Sequence, residues 1–139
     1  MQIKRNASAH WVGNGKDGKG TLTAQSGVLS NTQYGFNSRF SDGIGTNPEE
    51  LIGAAHAGCF SMKLAFNLQE EGVTPDSIDT KATVVFDEGV ITQILLDTKV
   101  KATGITNEKF KLLVLNAKTE CPISKLLNTE IILSYSLNE

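Results

Sequence analysis

Residues 2–11 alternate, with Ile3, Arg5, Ala7, Ala9 and Trp11 on one face and Lys4, Asn6, Ser8 and His10 on the other. A period of two predicts a strand, with Arg5 as the one charge on its apolar side. The glycine- and lysine-rich GNGKDGKG that follows predicts a flexible turn. Short apolar runs at Thr21–Ala24, Gly27–Leu29 and Tyr34–Phe40 then predict strands separated by turn residues. After the loop SDGIGT, the stretch GTNPEELIGAAHAGCFSMKLAF (45–66) changes to a helical pattern that runs on to Gly72. The PDS turn at 75–77 leads to a strand at Ile78–Phe86, the DEG bend at 87–89 reverses it, and Val90–Lys101 returns as its partner. Thr106 or Asn107 opens a second helix, with Phe110, Leu113, Val114 and Ala117 at helical spacing. A short turn of helix at Pro122–Leu127 precedes a last strand at Thr129–Leu137. This order predicts one α+β domain over 1–139 with antiparallel sheet.

The long helix has a clear start. Asn47 is placed to cap, Pro48 suits the first helical position, and Glu50 can close a capping box on Asn47. From Leu51 to Met62 nearly every residue is apolar or small, His56 and Ser61 excepted, so this part is expected to be buried on every side. Beyond Lys63 the pattern turns amphipathic, with Leu64 and Leu68 against Lys63, Asn67, Glu70 and Glu71, and Gly72 ends it.

The 139 residues fit one domain, and 40% hydrophobic with 20% charged residues is an ordinary globular composition. A net charge of −2 without any basic cluster argues against nucleic acid or an anionic membrane as partner. No apolar run is long enough for a signal peptide or a bilayer span, so a cytoplasmic location is expected. GNGKDGKG superficially matches a phosphate-binding loop, but Gly20 occupies the position that needs Ser or Thr, and a strand follows where a helix is required.

Two cysteines in a reducing compartment are inert core residues, metal ligands or redox groups rather than a structural staple. Cys59, in the middle of the apolar helix, is expected to be largely buried. As a small hydrophobe it would be inert, because desolvation raises a thiol pKa, and a reactive thiolate there needs a cation from elsewhere in the chain. Cys121, before Pro122 in TECPISKLL, is placed at a helix N-cap, where free backbone N–H groups stabilise a thiolate, or it simply ends the second helix. His56 and Cys59 share a helical face. With Cys121 and a carboxylate they could form a zinc site, giving a metal-binding protein or metallohydrolase; a core histidine satisfied by hydrogen bonds is the simpler account. A cysteine-hydrolase pair of His56 and Cys59 is disfavoured by the buried, mid-helix nucleophile.

Three segments together, YGFNSRF, GTNPEELIGAAHAGCFSMKL and AKTECPISKLL, in this order and at this spacing, closely resemble the osmotically inducible protein C (OsmC) family and the wider group that includes the organic hydroperoxide resistance (Ohr) proteins. The resemblance extends over essentially the whole chain. It implies an OsmC-like fold, antiparallel sheets around a long central buried helix, in an intertwined homodimer. It also implies a thiol peroxidase that reduces organic hydroperoxides with no cofactor or metal and is restored by a dithiol reductant such as a lipoyl protein. By motif, Cys59 in AAHAGCF corresponds to the peroxidatic cysteine and Cys121 in ECPIS to the resolving one. Glu49 in NPEEL corresponds to the family's catalytic glutamate and Arg39 in NSRF to the arginine of the OsmC branch; without the resemblance Arg39 reads as a solvated strand end. An arginine held by paired hydrogen bonds to Glu49 would supply the cation that Cys59 lacks.

Helix geometry adds one constraint. Glu49 and Cys59 are ten residues apart, about 15 Å along a straight helix, which no glutamate side chain spans, so Glu49 can support Cys59 only indirectly, through residues of its own chain, or from another chain. Two copies of the helix crossing antiparallel near Ala54 would set Glu49 of one chain opposite Cys59 of the other, twice, as a two-fold axis requires.

Overall fold

The computed structural model describes all of residues 1–139. The chain divides into two compact units, Met1–Leu51 and Ile52–Glu139. In the first, β1 (Ala7–Val12), β2 (Lys19–Ala24) and β3 (Thr32–Tyr34) form an antiparallel sheet in the order β1-β2-β3. GNGKDGKG is the hairpin turn between β1 and β2, as expected, and the Trp11 indole N–H closes it by donating to Gly13 O at 3.1 Å. The Trp11 and Tyr34 rings meet 5.5 Å apart. Gly20 lies beneath them, where a Cβ would come within 2.5 Å of both rings, so a glycine is required by packing. The predicted strand at 27–29 is a turn. The predicted strand at 34–40 stops at Tyr34, and Phe36–Phe40 forms a single turn of helix, α1. The Ser38 hydroxyl closes this turn by accepting the Gly35 N–H at 2.9 Å, and Phe36 stacks on Phe40 with ring centroids 4.8 Å apart.

Helix α2 (Pro48–Glu70) begins where the sequence predicts, with the Asn47 side chain accepting the Glu50 N–H at 2.8 Å. The capping box does not close: the Glu50 carboxylate accepts instead from the Thr46 hydroxyl at 2.7 Å. The helix ends in a Schellman motif. Val73 N–H donates to Leu68 O and Gly72 N–H to Gln69 O, both at 2.9 Å, with Gly72 at φ +73 and Val73 buried.

The second unit holds a sheet of β4 (Ser77–Asp87), β5 (Val90–Lys101) and β6 (Glu130–Leu137) in that order. β4 and β5 form an antiparallel hairpin whose two-residue turn, Glu88-Gly89, takes φ of 47 and 81, as type I′ hairpins require. β5 and β6 pair in parallel, which departs from the expected all-antiparallel sheet. The connection between them explains it: α3 (Asn107–Glu120) and α4 (Pro122–Leu126) carry the chain back across one face, and such a crossover delivers the next strand in the same direction. Thr106 is the N-cap of α3, its hydroxyl accepting the Lys109 N–H at 3.2 Å.

The core of this unit joins α2, β5 and α3. Phe60, Leu64 and Leu68 from α2 pack with Ile94, Leu96 and Val100 from β5 and Phe110, Val114 and Ala117 from α3. Each large side chain so buried contributes about 1.5–3 kcal/mol. The buried stripe of α2 runs Gly53, His56, Phe60, Leu64, Asn67, Leu68. Its opposite stripe, Ala54, Ala55, Gly58, Met62 and Phe66, is exposed, with Met62 at 64% and Phe66 at 53%. The expectation of a helix buried on all sides therefore fails for one chain, because a single three-stranded sheet and α3 cover only one side of it. No helix is long and apolar enough to cross a membrane.

Candidate active site

Cys59 and Cys121, 62 positions apart in sequence, are brought together in the second unit. Cys59 is on α2 at the border between the buried stripe and the exposed apolar one. Cys121 is the residue that both ends α3 and precedes α4. Both are free thiols. Cys59, expected to be largely buried, is half-buried, whereas Cys121 is fully buried among the core side chains. The thiol that a solute can reach is thus Cys59, with Cys121 waiting behind it.

The two thiols are hydrogen-bonded to each other, and the backbone N–H of Ile123 donates to the Cys59 sulfur. Desolvation raises the Cys59 pKa above its ordinary value, and the bond to Cys121 raises it further because it favours the protonated thiol. The Ile123 N–H pulls the other way by favouring the thiolate. The backbone N–H at the start of α4 therefore serves Cys59 and not Cys121, the cysteine that the sequence placed to receive it. Cys121 itself makes no side-chain capping bond. On balance the thiol of the single chain is held protonated.

His56 lies one helical turn before Cys59 and is fully buried. Its Nε2 is 2.8 Å from the Ser124 hydroxyl on α4, while Nδ1 is buried without a partner. Burial lowers its pKa, which keeps the ring neutral. The zinc alternative finds no support here: no three His, Cys, Asp or Glu side chains are grouped where they could hold a metal ion, and Nε2 of His56 is directed at a hydroxyl.

Arg39 and Glu49 meet within the first unit. Arg39, on α1 rather than at a strand end, donates from Nε to Glu49 Oε1 at 2.7 Å, and its guanidinium lies 5.2 Å from the centroid of the Phe40 ring. The Arg39 side chain is 39% exposed and that of Glu49 12%. The two-oxygen pairing expected between them does not form, because Glu49 Oε2 is buried and has no hydrogen-bond partner. A cleft of about 710 Å³ in the same unit is lined by Lys16, Lys19, Gln33, Tyr34 and Asn37 among others and holds none of the four predicted site residues.

A half-exposed thiol set against a buried one is an arrangement that permits chemistry between two cysteines, as in dithiol redox proteins. The comparisons make this specific. Residues 41–136 match the family described as OsmC-like protein, and the chain belongs to that family. The matched segment contains Glu49, Cys59 and Cys121 and begins just after Arg39. The chain is 50% identical over 141 residues to peroxiredoxin OsmC of Escherichia coli K12, covering 99% of each. It is 30% identical over 112 residues to the organic hydroperoxide resistance protein OhrB of Bacillus subtilis, covering 76% of this chain and 79% of the relative. The crystal structure of that OhrB superposes with a TM-score of 0.66 at 26% identity, over 98% of both chains. An OsmC-like protein from Mycoplasma pneumoniae superposes with a TM-score of 0.77 at 13% identity over the full length of both, which speaks for the fold alone.

Proposed function

We propose that this chain is a cysteine-based peroxidase that reduces organic hydroperoxides to alcohols and is recycled by a dithiol reductant. The observation that carries the reading is the pairing of a reachable Cys59 with a buried Cys121, the Ile123 N–H directed at the former. The Cys59 thiolate attacks one peroxide oxygen; the O–O bond breaks, the other oxygen leaves with a proton as the alcohol, and Cys59 becomes a sulfenic acid. Cys121, already in contact, attacks that sulfur, and the sulfenic oxygen leaves as water as the disulfide forms. Two thiols of a reductant such as a lipoyl protein then exchange with the disulfide and restore both cysteines. The name of the OhrB relative, an organic hydroperoxide resistance protein, supports this substrate class, and that of the E. coli peroxiredoxin supports peroxide reduction.

A thiol held protonated needs a cation to ionise it, and Arg39 is the proposed source, steadied by Glu49. Since Glu49 stands ten residues from Cys59 on one helix, the pair acts on the Cys59 of a second copy, and the exposed Ala54–Phe66 stripe is where the two α2 helices cross.

The deciding assay measures consumption of cumene hydroperoxide, a fatty-acid hydroperoxide and hydrogen peroxide with lipoyl dithiol, thioredoxin or glutathione as donor. Preference for the organic substrates and for a dithiol is expected. Cys59→Ser should abolish turnover, and Cys121→Ser should stop after one, leaving a sulfenic acid or mixed adduct visible by mass spectrometry. Equal full turnover in both variants refutes the scheme. Refolding Glu49→Gln together with Cys59→Ser tests the shared site: activity should reappear in the mixture, and mixtures as inactive as their parents would place each site within one chain.

A further inference from the structure

The helices that carry the two cysteines touch at a second point, and its spacing matches the first. His56 is three residues before Cys59 on α2; Ser124 is three residues after Cys121, on α4. His56 Nε2 and Ser124 Oγ are 2.8 Å apart, with His56 fully buried and Ser124 at 9%. Between these two contacts lies the third, from Ile123 N–H to the Cys59 sulfur.

α4 needs such anchoring. It has five residues, too few for a helix to hold itself, since nucleation is unfavourable and only a few bonds follow it. Its own bonds are Lys125 N–H to Cys121 O at 3.0 Å and Leu127 N–H to Ile123 O at 3.1 Å, with an ion pair from Lys125 to Glu120 at 2.8 Å. None of these fixes α4 against α2. The His56–Ser124 bond does, beside the Ile123 N–H to Cys59 and the packing of Ile123 and Leu127 on the core. With Nδ1 buried and unpartnered, the cheaper tautomer leaves a lone pair there rather than an orphaned N–H, so Nε2 carries the proton and donates to the Ser124 oxygen.

We infer that His56 and Ser124 are positioning residues: their hydrogen bond latches α4 to α2 and so holds Cys121 and the Ile123 N–H in register with Cys59. The latch raises the effective concentration of one thiol toward the other, and thereby the stability of the disulfide. It deepens the peroxidase reading in that a fast second step protects Cys59 from a second oxidation to sulfinic acid. The latch can nevertheless be measured without any peroxide.

The test equilibrates the protein with mixtures of reduced and oxidised dithiothreitol. Two protein thiols exchange with the cyclic disulfide of the reagent, giving the Cys59–Cys121 disulfide and reduced dithiothreitol, so electrons balance within the mixture. Trapping and mass spectrometry give the equilibrium constant. Ser124→Ala removes the bond from both states, but the reduced protein can relieve the loss by letting α4 leave α2, whereas the oxidised protein, with α4 tethered by the S–S bond, bears it in full. The constant should fall about five- to tenfold. Ser124→Thr, which keeps the hydroxyl, and His56→Gln, which keeps an N–H donor near the Nε2 position, should retain most of it; His56→Leu should behave like Ser124→Ala. Gly72→Ala, at the far end of α2, controls for lost stability and should leave the constant unchanged. Wild-type values in Ser124→Ala and His56→Leu would overturn the latch, as would a drop in Gly72→Ala equal to theirs. A normal latch result beside absent peroxide consumption would overturn the peroxidase reading alone. With peroxide present, a larger fraction of sulfinic Cys59 in Ser124→Ala than in wild type is the matching kinetic result, and equal fractions would confine the latch to equilibrium.

Discussion

Asn67 is the polar tie between the helix that carries Cys59 and the helix that ends at Cys121. Its side chain is buried at 4% exposure, and Nδ2 donates to Leu113 O and to Asn116 Oδ1, both at 3.0 Å. Asn67→Ala removes two neutral hydrogen bonds, worth about 0.5–1.5 kcal/mol each, and leaves a small void. The expected loss is about 2–3 kcal/mol, or roughly 6–12 °C in Tm for a chain of this size. Asn67→Asp keeps the shape but turns the donor into an acceptor. Asn116 can rotate its amide to donate, but the Leu113 carbonyl cannot, and a buried ionised carboxylate left unpaired costs about 3–5 kcal/mol. The introduced carboxyl should therefore have its pKa raised in the folded state above the unfolded value of about 3.9. A raised acid is favoured protonated, so this stability is present below the unfolded pKa and is lost as pH rises through the folded one. Asn67→Asp should thus be less stable than Asn67→Ala at pH 7 and should regain ground on it toward pH 4. Urea denaturation of both variants at the two pH values measures this. A constant difference between them, or an aspartate variant more stable than the alanine one at pH 7, would show that Asn67 faces solvent and refute the tie.

Cys121→Ala takes away the bond that favours protonated Cys59 but leaves the Ile123 N–H, so the pH profile of Cys59 alkylation should move to lower pH; a shift upward would contradict the assigned bond. Arg39→Ala should slow alkylation of Cys59 at neutral pH in the assembled protein, and an unchanged profile would return Arg39 to a surface role. Phe60→Ala, at 0% exposure in the core, should cost about 3–5 kcal/mol by denaturant titration. Gly72→Ala meets no atom within 4 Å but must adopt φ +73, so strain alone should cost about 1–2 kcal/mol, read as a fall in Tm without change in alkylation.

Where the sequence carried local chemistry, the fold could be read. Asn47-Pro48 started α2, Gly72 ended it, and the DEG bend paired β4 with β5, because caps and tight turns depend on residues a few positions apart. α1 was hidden by an ambiguity of period: Phe36 and Phe40 are four apart, which suits alternation on a strand as well as one turn of helix. The parallel placement of β6 was implicit in the order strand, helix, strand, but β6 alternates half-buried with exposed positions over most of its length, as a strand in an antiparallel sheet with one wet face does. Cys59 and Cys121 were singled out from sequence, yet nothing in their spacing brings them together; the family resemblance did. The roles of Ile123 and Ser124 had no signal at all, one being a backbone N–H and the other an unremarkable serine beside a proline. The clearest correction is the exposed side of α2: its apolar sequence reads as burial on every side, but a single chain covers only the stripe from Gly53 to Leu68.

That exposed side and the state of Cys59 bear on each other. Within one chain the thiol meets desolvation, a neighbouring thiol that favours protonation, and a single N–H that opposes both. The same arrangement that protects the sulfur from indiscriminate oxidation leaves it a poor nucleophile, since reactivity follows thiolate content. In the proposed site the missing element is a cation, and Arg39, hydrogen-bonded to Glu49, is the candidate. Supplying it from a second copy, across the Ala54–Phe66 stripe, would make ionisation of Cys59 conditional on assembly. An isolated or unfolded chain would then carry two quiet thiols, and only the dimer would carry a reactive one. Titrating the alkylation rate of Cys59 against protein concentration separates this from a site complete in one chain: the rate per thiol should rise with dimer fraction, whereas a rate constant independent of concentration across the dissociation range would detach reactivity from assembly.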